Sequence, residues 1–195
     1  MRRILFACAA VVPALVAGCT PAAQPTPSAT PVPTAAAPTL QLMCTPEEGG
    51  TASPCTQAEY DAMVARDKLY DEAKVVLTKY NEEFERLSRE GSPASPEILA
   101  LTSGGYTQML QEEMSQGFTF DGGEFNTVWI KRWVGPSESG SVLALETCTD
   151  SSSITIRQGG KELGKGRVAE ERYYFAGTPG SLKIVDGMYE VVESC

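Results

Sequence analysis

Residues 56–91 read TQAEYDAMVARDKLYDEAKVVLTKYNEEFERLSREG. Tyr60, Met63, Val64, Tyr70, Ala73, Leu77, Tyr80, Phe84 and Leu87 recur at steps of three and four, which predicts one apolar face of a long helix. Thr56-Gln57-Ala58-Glu59 has the form of a capping box at its start. Gly91, with Pro93 beyond it, marks its end. At helical spacing the tyrosines on this face read as core, and the opposite face, with its mixed charges, reads as solvated.

Downstream, Ser95-Pro96-Glu97 opens a second, shorter helix with proline at its first position. Gly104-Gly105 is expected to break it. A third helix is expected over 106–116, ending at Gly117. From Phe118 the composition changes. Segments 124–134, 141–148, 153–158, 167–176, 181–185 and 188–194 are rich in Val, Ile, Tyr, Phe, Thr and Trp and are separated by turn residues. Asp186-Gly187, between the last two segments, reads as a two-residue hairpin turn. Helices followed by hairpin-linked strands predict an α+β domain with an antiparallel sheet.

Upstream, residues 1–18 have the three parts of an export signal: Arg2 and Arg3, an apolar run from Ile4 to Val16, and small residues at Ala17-Gly18. The run is too short to span a bilayer as a mature helix. Leu15-Val16-Ala17-Gly18-Cys19 resembles a bacterial lipobox, whose cysteine is lipidated and becomes the new N-terminus. A diacylglyceryl group supplies two chains, enough for a stable anchor. Residues 19–43 then form a tether, with prolines at 21, 25, 27, 31, 33 and 38 and no charge between Arg3 and Glu47. Such a chain is extended and partly polyproline II. The globular domain is expected over 44–195, on the extracytoplasmic face of the cell membrane.

The net charge of −9 disfavours nucleic acid as a partner. There is no histidine, so Ser-His-Asp and Cys-His nucleophile systems and histidine metal ligands are excluded. Beyond Cys8 and Cys19, four cysteines remain, an even number that implies two disulfides on the exported side. Of three pairings, spacing favours Cys44–Cys55 with Cys148–Cys195, the second pinning residue 195 to a central strand.

The sequence carries no complete catalytic, metal or cofactor motif. Gly159-Gly160-Lys161-Glu162-Leu163-Gly164-Lys165-Gly166 departs from a phosphate loop at Gly166, where Ser or Thr would ligate magnesium, and lies between strands; it reads as a flexible hairpin loop. Asp150-Ser151-Ser152-Ser153-Ile154 departs from a D-x-S-x-S metal pattern at Ile154 and reads as a strand-closing turn. Asp121-Gly122-Gly123-Glu124 lacks the ligand spacing of a calcium loop and reads as a turn.

The order of elements is similar to the NTF2-like, or cystatin-like, α+β cone, and more narrowly to actinomycete-type cell-envelope lipoproteins of that fold. The residues that carry the resemblance are the lipobox, the Pro/Ala/Thr tether, 101–104 through 116–117, 146–151 and 183–195. Such proteins commonly have tryptophan where this chain has Leu182. The resemblance implies a long helix and two short helices packed on a curved antiparallel sheet, with a pocket between sheet and long helix. It supplies no activity, because the fold hosts enzymes and binding modules alike. The expectation is a membrane-anchored, non-enzymatic binding module, without cofactor, for a small ligand or an envelope protein. Trp129, Trp133, Tyr173 and Tyr174 are the candidate contact residues, with core filling as their competing role. The alternatives are a small isomerase- or hydratase-like enzyme using carboxylate and tyrosine, and a purely structural envelope protein. A pocket with a raised carboxylate pKa would favour the enzyme, a dry apolar pocket a small ligand, and a filled cone with an exposed apolar patch a protein partner.

Overall fold

The computed structural model describes residues 41–195. The expected signal, Cys19 and the tether up to residue 40 lie outside the described residues.

The long helix forms as its pattern requires. α1 spans Gln57–Glu90, and Thr56 caps it. Thr56 Oγ1 accepts from the Glu59 N–H at 3.3 Å, and the Glu59 carboxylate accepts from the Thr56 N–H at 2.7 Å. That reciprocal pair satisfies two otherwise orphaned donors. At the other end Gly91 takes φ 63°, and a Cβ there would lie 2.6 Å from Thr119 Cγ2. Both the backbone conformation and the close approach of the next strand demand glycine. Tyr70, Ala73, Leu77, Tyr80 and Leu87 are buried along one stripe. Tyr60, Met63 and Val64 are only half-buried, because the first turns of the helix meet just the small 43–55 loop.

α2 spans Pro96–Ala100, with Ser95 Oγ accepting from the Ile98 N–H at 3.2 Å. α3 spans Gly104–Ser115, so Gly104-Gly105 begins the third helix instead of breaking the second. The break is made earlier, at residues 101–103. There the chain is bonded to the last strand, with Ser103 N–H donating to Ile184 O and Ile184 N–H to Leu101 O, each at 2.9 Å.

The strands are β1 (Met43–Cys44), β2 (Ser53–Pro54), β3 (Phe118–Asp121), β4 (Asn126–Trp133), β5 (Leu143–Asp150), β6 (Thr155–Gln158), β7 (Lys161–Lys165), β8 (Val168–Ala176) and β9 (Lys183–Val191). They form antiparallel sheets of order β1-β2, β3-β6-β7 and β4-β5-β8-β9. The architecture is therefore α+β, with one long helix and several antiparallel sheets. The three-stranded sheet continues the β5–β8 pair past a bend, where Ser151 N–H donates to Arg167 O and Gly166 N–H to Ile154 O.

Two strand expectations are corrected. Asp186-Gly187 is no hairpin turn but the middle of β9, which runs unbroken through it. Val185 is the extra residue of a bulge, since Tyr174 pairs with Asp186 and Phe175 with Ile184. Gly187 is required by packing: a Cβ there would lie 2.9 Å from the Tyr106 ring. The 159–166 stretch is likewise no flexible loop. Gly159-Gly160 make a tight turn, and 161–165 is β7, paired antiparallel with β6 around a bulge at Leu163.

Among the described residues no helix is long and apolar enough to cross a membrane. Disulfides join Cys44 to Cys55 and Cys148 to Cys195. Two such bonds place this domain in an oxidising, extracytoplasmic setting. The first closes 11 residues and the second 47. Loop-closure entropy makes the longer loop worth more, about 4 against about 3 kcal/mol. In denaturant titrations, Cys148→Ala/Cys195→Ala is therefore expected to lose more unfolding free energy than Cys44→Ala/Cys55→Ala. The reverse order would show that native-state contacts, not chain entropy, set the contribution.

Candidate functional site

Strand alternation divides the four-stranded sheet into two chemically distinct faces. Pairing sets Ile130, Thr147, Glu171 and Tyr189 in one row across all four strands, on the face toward the helices. The adjacent row on the same face is Arg132, Leu145, Tyr173 and Gly187. Between this face, α1 and α3 lies a cavity of about 660 Å³. It falls within the range of roughly 300–1,000 Å³ common to small-molecule sites.

Aromatic rings frame it. Tyr80 from α1 is 4 % exposed and stands at the centre. Its hydroxyl is hydrogen-bonded to that of Tyr106 from α3 at 2.9 Å. Its ring lies 5.9 Å from Tyr173, edge-on, and 6.0 Å from Phe84. Phe84 continues the cluster to Phe120 and Phe125 at 6.2 and 6.5 Å. Burial pushes the hydroxyl pKa of Tyr80, Tyr106 and Tyr173 upward, so these groups stay protonated and act as hydrogen-bonding, not anionic, walls.

Four carboxylates line the same space, and two of them are desolvated, Glu171 from β8 and Glu113 from α3. Glu171 Oε2 accepts from Thr149 Oγ1 at 3.0 Å and from Thr147 Oγ1 at 3.4 Å. Desolvation raises the Glu171 pKa, and the threonine and Tyr173 hydroxyls oppose that rise without cancelling it. Desolvation also raises Glu113. Both acids in turn add to the upward shift of Tyr106 and Tyr173.

A second, smaller cavity of about 370 Å³ lies against the three-stranded sheet and shares Phe84 and Glu113 with the first. Its walls are mainly apolar, with Lys165 and Arg167 among its lining residues.

Of the four expected contact residues, only Tyr173 lines the large cavity. Tyr174 is buried on the opposite face. Trp129 and Trp133 also lie on that outer face, in register with Cys148 and Ala144. Lys131 Nζ sits 4.2 Å over the Trp129 ring, and Arg172 Cζ stacks 3.2 Å over Trp133. Glu146 binds both cations, Lys131 at 2.8 Å and Arg172 at 2.9 Å. Burial alone would raise the Glu146 pKa; its two partners outweigh that and lower it. These side chains form a paired outer layer and are not brought together with Tyr173. Trp133 also borders a small hollow of about 200 Å³ with Tyr70 and Glu47. Tyr70 donates its hydroxyl to Glu47 at 2.6 Å, which ties the 44–55 loop to α1.

The turn readings agree with the structure. Asp150 Oδ1 accepts from the Ser152 N–H at 2.9 Å, an Asx turn that closes β5. Arg89 donates to the Gly122 and Gly123 carbonyls at 3.1 and 2.9 Å, holding the 121–124 turn against the end of α1.

Sequence reasoning missed Tyr80, Tyr106, Glu113 and Glu171 as cavity residues. One signal was present: in β8 the inward positions are Glu171, Tyr173 and Phe175, so a carboxylate interrupts an apolar alternation. No protein-family model, curated protein or solved structure matches the chain.

The raised Glu171 pKa has a consequence for stability. Thr147, Thr149 and Tyr173 meet this carboxyl from the sheet, and Glu113 and Tyr106 of α3 and Tyr80 of α1 line the same recess. A folded-state pKa above the unfolded value means that the folded state holds its proton longer. The neutral acid incurs no penalty in acid, and stability declines as pH rises through the folded pKa. Glu171→Gln is therefore expected to raise Tm at pH 7 and to raise it less at pH 4. An equal shift at both pH values in paired thermal melts would contradict the desolvated-carboxyl reading.

Proposed function

We propose that this chain is a lipid-anchored, extracytoplasmic binding module of NTF2-like type that holds a small, apolar-bodied ligand in the cavity between α1, α3 and the four-stranded sheet. One observation carries the ligand reading: a recess of about 660 Å³ opens between the helices and the sheet, floored by the buried Tyr80, Tyr106 and Tyr173 and bordered by Phe84 and Phe125, with Tyr189 exposed at its mouth. A concave recess of this size, with an aromatic floor and a few convergent polar groups, has the dimensions and lining common to small-molecule sites. The long helix crossing one face of a bent antiparallel sheet supports the NTF2-like assignment. The lipobox at 15–19 and the two disulfides support export and anchoring at Cys19. An open cavity also favours a small molecule over an envelope protein docking on a filled cone.

The enzyme reading has a specific observation in its favour, the desolvated Glu171 beside tyrosine hydroxyls. Binding without chemistry accounts better for the same geometry. Glu171 is already tied to two threonine hydroxyls. The Tyr80 and Tyr106 hydroxyls are bonded to each other, and their upward pKa shifts make them weaker acids than ordinary tyrosine. A proton-transfer site needs the opposite, with a free base and an acidic donor aimed at the substrate.

The test uses N-phenyl-1-naphthylamine, an uncharged apolar fluorophore at neutral pH. It is expected to bind the full-length protein one to one with enhanced emission. Thr149→Trp, which places an indole in the cavity, is expected to abolish that enhancement while circular dichroism stays native. Equal enhancement in the filled variant, or none in the parent, would refute the cavity as the site. Intact-mass analysis of membrane-purified protein tests the anchor. A diacylated chain beginning at Cys19 is expected, and an unmodified chain beginning near residue 19 would refute it.

A further inference from the structure

The charges around the cavity are one-sided. Among its lining residues are four carboxylates, Glu82, Glu85, Glu113 and Glu171, and no lysine or arginine. Glu85 is neutralised by Arg89 at 2.6 Å. Glu113 and Glu171, the two desolvated ones, form no ion pair among the described residues. Arg132, a cation on the same sheet face, is committed to Asp67 at 2.9 Å and stacks on Tyr70 at 4.5 Å. Lys165 and Arg167 line the neighbouring cavity instead.

Glu171 meets hydroxyls only: Thr149 and Thr147 donate to Oε2, and the Tyr173 hydroxyl adds a third neutral donor, with no cation beside them. A carboxylate in a recess is costly unless a cation or further donors meet it. The Tyr80, Tyr106 and Tyr173 rings line the same recess as this carboxylate, and aromatic faces attract cations by their quadrupole. Two recessed carboxylates without an ion pair, aromatic walls and no basic side chain in the lining together match one ligand chemistry.

We propose that the cavity takes an organic cation, an amine carried on an apolar body, with its charged nitrogen against the Glu171 carboxylate and its body among the aromatic rings. This rests on the reading of the cavity as a ligand site and adds the charge of the ligand. The competing occupant is a neutral molecule whose carbonyl or hydroxyl meets a protonated Glu171.

Three compounds of one skeleton separate these cases: 4-phenylbutylamine, 4-phenylbutanol and 4-phenylbutyrate, each used to displace the neutral fluorophore from the full-length protein at pH 7. The amine is expected to displace it at least about tenfold more tightly than the alcohol, with the acid weakest. In Glu171→Gln the amine-to-alcohol ratio is expected to fall to about one, and Glu113→Gln is expected to lower it in part. Glu190→Gln, on the outer face of β9, should leave the ratio as it is. Glu113→Gln supplies a second readout of the same charge from the opposite wall of the cavity. Alcohol binding as tight as the amine in the parent protein would overturn the proposal while leaving the cavity reading intact. If the fluorophore itself fails to bind, the cavity reading falls and the cation proposal falls with it.

Discussion

Tyr80 is the contact on which the arrangement of the interior depends. It lies on the buried stripe of α1, bonds its hydroxyl to Tyr106 of α3, and sets its ring against Tyr173 of β8. Three elements are thereby held at a distance set by aromatic rings, not by aliphatic side chains. On one side of Tyr80, toward Ala73 and Leu77, the stripe closes into full burial. On the other, toward Phe84, the rings stand apart and a cavity remains. The two hydroxyls satisfy each other, which removes the cost of burying either one alone. A polar pair in an otherwise apolar wall also fixes the angle between the helices more sharply than apolar packing would.

The sheet carries opposite electrostatic solutions on its two faces. Outside, Glu146 meets Lys131 and Arg172, which in turn lie over Trp129 and Trp133. Those charges are mutually spent. Inside, Glu171 meets only hydroxyls, in the row of Ile130, Thr147 and Tyr189. A one-residue change of register would exchange these faces, so pairing has to be specified strongly. The bulges at Val128 and Val185 set it locally, and the Cys148–Cys195 bond adds a covalent tie on the outer face. The bonds between residues 101–103 and Ile184 then fix α3 over the inner row. The position of Glu113 and Tyr106 beside Glu171 thus follows from backbone pairing at some distance from the cavity.

Much of the frame was legible in the residues. The capping box at Thr56, the glycine stop at Gly91, Pro96 at the start of α2 and both disulfides follow from local chemistry, and all are present. Asp186-Gly187 misled because a dipeptide suited to a tight turn serves here a different need. Gly187 makes room for the Tyr106 ring, a tertiary fact that local pattern does not carry. β7 was missed because its Lys, Glu and Gly residues contradict strand propensity; its pairing with β6 overrides that. The cavity residues were the least legible. Tyr80 has the spacing of core, Tyr106 lies on another helix, and only folding brings both to Glu171. The tryptophans have the size and chemistry of contact residues, but strand parity, shifted by the bulge at Val128, sends them outward.

The account turns on the claim that Tyr80 and Tyr106 hold the walls of the cavity as a bonded pair. A double-mutant cycle of Tyr80→Phe and Tyr106→Phe, read by denaturant unfolding, tests it most directly. Each single change strands a buried hydroxyl and is expected to cost about 1–3 kcal/mol, and the double change is expected to cost less than the sum by about 1 kcal/mol. Single costs that simply add would contradict the pairing, and with it the frame on which the cavity rests.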